Sequence, residues 1–138
     1  DYRSNYGIKF NISIDELNKY NRILVHDKFL FGITRDENSS SIRRYRSDSE
    51  EYLETIELPK MFNEAVIFNN WIFYLSEKGD LISVNMNDLS YEIIKTNLGN
   101  WSVIVEIDEN GMVNVQTSWQ RSPVHLLTAQ LPEIYIVS

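Results

Sequence analysis

Short runs of apolar residues, separated by turn-forming residues, follow one another along most of the chain. Alternating runs bounded by Asn, Gly, Asp and Pro are typical of β-strands. The clearest example is residues 65–86, where Asn69-Asn70 and Lys78-Gly79-Asp80 separate three such runs. Residues 71–75 are apolar on both faces, which predicts an interior strand covered on both sides. The pattern predicts an all-β protein of antiparallel sheets.

One helix signal precedes the strands. Ser13 and Glu16 have the spacing of a capping box, in which the serine hydroxyl accepts from a backbone amide and the glutamate reaches back. Leu17 and Tyr20 fall on one helical face, and the acidic first turn suits the positive end of the helix dipole. The pattern predicts a short N-terminal helix over residues 14–21.

Strand-forming runs flank the central stretch on both sides. On its N-terminal side they predict a hairpin over residues 22–33, a loop at 36–41, and strands at 42–46 and 52–58. On its C-terminal side, Asn110-Gly111 marks a hairpin. The last strands are predicted at 126–128 and 134–137.

The strand pattern repeats at a spacing of about 40 residues. Residues 26–34 align with 68–76 at an offset of 42, and residues 70–74 align with 111–115 at an offset of 41. Units of about four strands that recur at ~40–45 residues are typical of β-propeller blades. Each blade exposes two apolar faces, which neighbouring blades cover.

The repeat carries a resemblance to a known architecture. Trp71-Ile72-Phe73-Tyr74-Leu75-Ser76, followed by Gly79-Asp80-Leu81-Ile82-Ser83-Val84, resembles one blade of a bacterial β-propeller. The resemblance implies about three blade-like units, whereas a closed propeller takes ~4–8 blades. The units therefore belong to a larger propeller or form an open stack, and an ordinary antiparallel sandwich is the alternative.

Length and composition fit one globular domain. The chain has 138 residues, of which 43% are hydrophobic, enough for a core. We expect a single domain over residues 1–138, with a helical N-terminal segment at 1–22 and blade-like units at 23–58, 65–94 and 103–137.

The charge balance restricts the partners. Thirteen Lys and Arg face twenty Asp and Glu, a formal net charge of −7. Nucleic-acid binding needs a basic face, so we expect no nucleic-acid partner. Arg43-Arg44-Tyr45-Arg46 is instead interpreted as a strand with alternating faces. Apolar runs fall short of the ~20 residues of a membrane helix, so we expect no membrane partner.

Residues suited to catalysis are scarce. The absence of Cys excludes disulfides and thiolate chemistry, and it is compatible with a cytoplasmic location. Two histidines and isolated glycines offer no metal site and no phosphate-binding loop. A glycosidase needs two opposed carboxylates across a cleft, and no pair has that signature. We expect no catalytic residues, no metal, no cofactor and no enzymatic activity.

These exclusions favour a protein-binding module. At the level of class, without a shared motif, the chain is similar to bacterial toxin-immunity proteins, small acidic cytoplasmic inhibitors whose toxins are often nucleases. An acidic surface speeds the capture of a basic partner. The alternative is a fragment or relative of a larger β-propeller that acts as a scaffold or sensor. The oligomeric state stays open.

Candidate partner-binding residues are carboxylates in predicted turns and two tryptophans, one at a predicted strand entry and one in a predicted loop. Turn carboxylates supply the charge, and aromatic residues at loops are enriched at binding hot spots. The set is Asp36, Glu37, Asp48, Glu50, Glu51, Asp108, Glu109, Trp101 and Trp119.

Overall fold

The computed structural model describes residues 2–3, 9–47, 52–117 and 126–137. Within them the chain is mostly β, as predicted, with one short α-helix and one 3-10 helix. The first part holds β1 (Tyr2–Arg3), β2 (Lys9–Phe10), α1 (Ile14–Leu17), β3 (Arg22–His26), β4 (Phe29–Arg35), β5 (Ser39–Arg46) and β6 (Tyr52–Pro59). The second part holds β7 (Val66–Phe68), β8 (Trp71–Leu75), β9 (Leu81–Asn85), β10 (Tyr91–Lys95), β11 (Ser102–Ile107), β12 (Met112–Thr117), β13 (Leu126–Gln130) and a 3-10 helix at Glu133–Tyr135.

Three antiparallel sheets contain almost all of these strands, and in each sheet the strands lie in chain order. The orders are β3-β4-β5-β6, β7-β8-β9-β10 and β11-β12-β13, and β1 pairs only with β2 among the described strands. Their strands lie within residues 22–59, 66–95 and 102–130. The chain divides into two compact units, Asp1–Lys60 and Met61–Ser138, so the first unit holds one of these three sheets and the second holds the other two.

Tight turns connect the strands at residues that tolerate a left-handed backbone. Asp27 and Asn69 have φ of 53°, and Gly79 and Gly111 have φ of 88° and 80°. Asn, Asp and Gly adopt this region at low cost, which is why the predicted turns occur at these positions.

In the first unit, one face of the sheet is covered by the segment that precedes it. Phe10, Ile12 and Leu17 pack with Leu30 of β4 and Tyr45 of β5 in one buried cluster. Leu17 is the buried residue of α1, so the helix is held to the sheet by its apolar side. Glu16 of α1 lies over the same face of the sheet, because its carboxylate accepts from the Tyr45 hydroxyl.

In the second unit, β8 is buried on both faces, as predicted. Ile72 and Tyr74 are buried on one face, and Phe73 and Leu75 are buried on the other. Phe73 and Leu75 belong to a cluster that includes Val113 of β12, so the two sheets of this unit share one core. The alternation follows from the two-residue period of a strand.

The predicted bounds of the helix and of one loop are wrong. The helix ends at Leu17 instead of residue 21, because the amide of Asn21 already donates to the carbonyl of Ile33 (2.8 Å). The loop predicted at 36–41 ends at Asn38. Ser39 and Ser40 are already paired with β6, and Ser40 is buried.

The strand predicted at 134–137 is also wrong, because Glu133–Tyr135 forms a 3-10 helix. The Asn69 side-chain amide donates to the Tyr135 carbonyl (2.7 Å), and the Tyr135 ring lies edge-on to Trp71 at 4.5 Å between centroids. The Tyr135 hydroxyl also hydrogen-bonds the Ser83 hydroxyl (2.8 Å). These contacts with the β7–β10 sheet hold the segment in a turn.

Candidate functional site

A pocket of about 250 Å³ lies in the first unit, between the polar side of α1 and the sheet. Strand pairing brings its sheet residues together, since Thr34 lies opposite Ser41 and Arg43 lies opposite Thr55. α1 contributes Glu16, and the turn that follows it contributes Lys19 and Tyr20. The lining is Glu16, Lys19, Tyr20, Thr34, Ser41, Arg43 and Thr55.

Gly32 allows Tyr20 to approach the sheet. Gly32 lies in β4, opposite Arg43. A Cβ atom at Gly32 would lie 2.6 Å from the Tyr20 ring, closer than real Cβ contacts. The Tyr20 ring therefore packs directly on the backbone of β4 and forms one wall of the pocket.

Glu16 is the centre of a hydrogen-bond network beside the pocket. Lys19 Nζ donates to Glu16 Oε2 (3.0 Å), and the Tyr45 hydroxyl donates to Oε1 (3.0 Å). Arg43 Nη1 lies 3.7 Å from Oε1. The hydroxyls of Tyr20 and Tyr45 hydrogen-bond each other. The Tyr20 hydroxyl also lies 3.5 Å from Glu16 Oε1 as a donor, so either tyrosine can be the donor in that pair.

The network shifts the pKa values of Glu16 and Tyr45 in opposite directions. The hydrogen bond from Lys19 lowers the pKa of Glu16, and the hydrogen bond from Tyr45 adds to this effect while burial opposes it. Burial raises the pKa of Tyr45, and its hydrogen bonds with Tyr20 and Glu16 raise it further. The carboxylate is therefore ionised and the phenol neutral at neutral pH. Neither group is suited to proton transfer near pH 7.

Replacing Glu16 with glutamine is expected to flatten the acid side of the stability profile. The folded-state pKa of Glu16 is lowered, so its contribution is fully present above the unfolded pKa of ~4.3. That contribution is lost as the pH falls through the folded pKa. Urea unfolding of wild type and Glu16→Gln between pH 7 and pH 2 measures the difference.

The matched control for this measurement is Glu57→Gln, at an exposed glutamate of β6 in the same unit. Its stability should follow the wild-type pH dependence. If the free energy of unfolding depends on pH in the same way in wild type and in Glu16→Gln, ionisation of Glu16 does not contribute to stability.

The predicted contact residues Asp36 and Glu37 lie together in the exposed turn between β4 and β5. The Asp36 amide donates to the Ser39 carbonyl (2.8 Å), and Lys60 Nζ donates to the Glu37 carbonyl (2.9 Å). Both residues are exposed, in a turn whose backbone is held by these two hydrogen bonds. Four further predicted residues, Asp48, Glu50, Glu51 and Trp119, lie outside the described residues.

Asp108 and Glu109 occupy the turn between β11 and β12. Asp108 Oδ1 accepts from the backbone amides of Asn110 and Met112, both at 2.9 Å. The Asp108 carboxylate thus stabilises its own turn, which leaves the exposed Glu109 as the charge that this turn presents to solvent.

Trp101 lies between β10 and β11 and is 38% exposed. Its ring contacts Phe62 edge-on at 5.3 Å between centroids, and its amide donates to the Glu77 carbonyl (3.0 Å). The six residues of β11 separate Trp101 from Asp108 by roughly 20 Å. The structure therefore does not bring the predicted tryptophan and carboxylates of this unit into one site.

Sequence reasoning missed the pocket, although part of its signal was present. The interpretation of Arg43-Arg44-Tyr45-Arg46 as a strand with alternating faces is confirmed. Arg43 and Tyr45 lie on the pocket side, whereas Arg44 and Arg46 lie over the Phe29 ring at 5.0 and 5.5 Å. Glu16 was identified only as a capping residue, and nothing local pairs it with Tyr45, 29 residues away.

The two units differ strongly in charge. The first unit contains ten Lys and Arg and eleven Asp and Glu, which gives a formal charge of −1. The second contains three Lys and Arg and nine Asp and Glu, which gives −6. Nearly all of the net negative charge predicted to attract a partner therefore belongs to the second unit.

In the described parts of the chain, no three His, Asp or Glu side chains are grouped so that they could hold a metal ion. No helix there has the length and apolar character needed to cross a membrane. Comparison of the chain with protein-family models, curated proteins and solved structures found no match.

Proposed function

We propose that the chain is a non-catalytic module that captures a basic protein through its acidic second unit. In its most concrete form it is a cytoplasmic immunity-type inhibitor that neutralises a cognate bacterial toxin of the nuclease class. The supporting observation is the formal charge of −6 on the second unit. The proposal includes neither a nucleic-acid nor a membrane partner.

The exposed side chains of the second unit support this reading. Its exposed cations among the described residues are Lys78 and Lys95, and its exposed carboxylates are Glu64, Asp88, Glu92, Glu106, Glu109 and Glu133. Such an excess attracts a positive surface over a Debye length of ~8 Å and raises the association rate. A nuclease has a basic substrate cleft because that cleft must hold phosphates.

The pocket of the first unit also supports a non-catalytic role. It contains one carboxylate, Glu16, whereas glycoside hydrolysis requires two across a cleft. The ionised Glu16 and neutral Tyr45 are held by each other and by Lys19, so the network orders side chains instead of preparing a proton transfer.

Neutralising carboxylates of the second unit should slow capture more than neutralising carboxylates of the first. The test uses the chain as bait in lysate of its native host at low and high salt. A basic protein is expected to bind wild type at low salt and to weaken at high salt. Its association rate should fall at least about threefold with Glu106→Gln/Glu109→Gln. The matched control Asp36→Asn/Glu37→Gln should change the rate less.

Two further results decide this proposal. The purified partner should have nuclease activity that wild type inhibits. Failure of wild type to retain any basic protein, or equal rate losses in the two double variants, would contradict the acidic second unit as the capture surface.

A relative or fragment of a larger β-propeller is the second candidate, favoured by one observation. The three larger sheets have four, four and three strands, each in chain order, as successive blades would. On this proposal each of these sheets is one blade of a propeller, and the remaining blades come from further chain or from other copies. Sedimentation equilibrium should then show a discrete oligomer, whereas a stable monomer would count against this candidate.

A further inference from the structure

We propose that the pocket between α1 and strands β4–β6 binds a single sugar ring, a small neutral ligand rich in hydroxyl groups. This inference concerns the first unit and does not depend on the capture of a protein by the second unit. It rests on the size of the pocket, the mixed sign of its charges and the rigidity of the groups that line it.

The size of the pocket limits its occupant. At about 250 Å³ it is smaller than the ~300–1,000 Å³ of pockets for drug-sized ligands. The pocket can therefore hold one ring with its substituents. A peptide or an oligosaccharide would extend well beyond it.

The charges in the pocket favour a neutral ligand. A small anion would meet the ionised Glu16, and a small cation would meet Lys19 and Arg43, which lie on the same rim. A hydroxyl group both donates and accepts, so it can donate to Glu16 and accept from Arg43 at once. A ring that carries several hydroxyl groups can hydrogen-bond both the carboxylate and the cations of the pocket, and it brings no like charge close to either of them.

The polar groups are already held in place. Arg43 Nε donates to Thr55 Oγ1 (3.2 Å), while its Nη1 lies near Glu16, so the plane of the guanidinium is set from two sides. Glu16 is oriented by Lys19 and Tyr45. Ordering long side chains on binding costs about 0.5–1.5 kcal/mol each, and here much of that ordering precedes the ligand.

The remaining wall suits the apolar side of a sugar ring. The Tyr20 ring is fixed against Gly32 and lines the pocket, with Thr34 and Ser41 beside it. An aromatic ring offers apolar area to C–H groups, and the threonine and serine hydroxyls offer further hydrogen bonds. The pocket thus pairs one apolar wall with donors and acceptors on the other sides.

Saturation-transfer NMR on the full chain tests the proposal with glucose, galactose, mannose and N-acetylglucosamine as probes. Wild type should transfer saturation to at least one of them. Thr34→Leu and Thr55→Leu each place a larger apolar side chain in the pocket. Each should weaken the binding of that sugar about tenfold or more. Thr128→Leu, at an exposed threonine of β13 in the second unit, is the matched control and should bind as wild type does.

Two pocket variants are used so that the test stays valid if one of them fails to fold, which circular dichroism detects. Saturation transfer to none of the four sugars would overturn the proposal. So would retention of wild-type affinity by both folded pocket variants. Inorganic phosphate serves as the anionic probe, with the NMR chemical shifts of the pocket residues as the readout. Chemical-shift changes caused by phosphate but by none of the sugars would assign the pocket to anions instead.

Discussion

Replacing Gly79 with alanine is expected to destabilise the second unit by about 2 to 5 kcal/mol. Gly79 has a φ of 88°, where an L side chain is strained. A Cβ atom there would also lie 2.5 Å from the carbonyl oxygen of Gly99 and 2.6 Å from its amide nitrogen. These are backbone atoms, so rotation of a side chain cannot relieve the contact. Urea unfolding monitored by circular dichroism measures the loss.

Gly111→Ala is the matched control for this prediction. Gly111 has a similar φ of 80°, but the three atoms nearest to its added Cβ are side-chain atoms of Ile136 and Gln130, which can move. Its cost should therefore approach that of the backbone strain alone, about 1–2 kcal/mol. If the two variants lose the same free energy of unfolding, the close approach of Gly79 to Gly99 is not what makes Gly79→Ala destabilising.

Gly32→Ala is expected to cost about 1–3 kcal/mol through crowding alone. Gly32 lies in a regular strand and does not have a left-handed backbone. The three atoms nearest to the added Cβ all belong to the Tyr20 ring, at 2.6 Å. Displacing that ring also separates the Tyr20 and Tyr45 hydroxyls and removes one wall of the pocket. The loss is measured by urea unfolding.

A double-mutant cycle isolates the cause of that loss. In a Tyr20→Ala background the added methyl group meets no ring, so Gly32→Ala should be neutral or slightly stabilising, as glycine in a strand is unfavourable. If Gly32→Ala costs as much in this background as in wild type, the contact with Tyr20 is not its cause.

The features of the fold that the sequence predicts are those that depend on neighbouring residues. The turns at Asn69, Gly79 and Gly111 follow from residues that tolerate a positive φ, and the two-faced burial of β8 follows from its unbroken apolar run. Leu89 and Trp101 also have positive φ, at 56° and 59°. Their side chains give no such signal, so only the fold explains these conformations.

The features that the sequence does not predict depend on distant partners. Residues 134–137 alternate as a strand does, yet the contacts of Tyr135 with Asn69 and Ser83 span 66 and 52 residues. The pocket likewise joins Glu16 to Tyr45 and Arg43 to Thr55. Each residue has an ordinary local role, and their proximity arises only when α1 packs on the sheet.

The segment between β10 and β11 has unusually little freedom for a connecting loop. The Leu98 amide donates to the Gly79 carbonyl (2.9 Å), and the Trp101 amide donates to the Glu77 carbonyl (3.0 Å). Loops are ordinarily where chains gain and lose residues over evolution. One residue inserted between Leu98 and Trp101 would pull at least one of these amides from its acceptor. Divergence should therefore preserve the length of this loop.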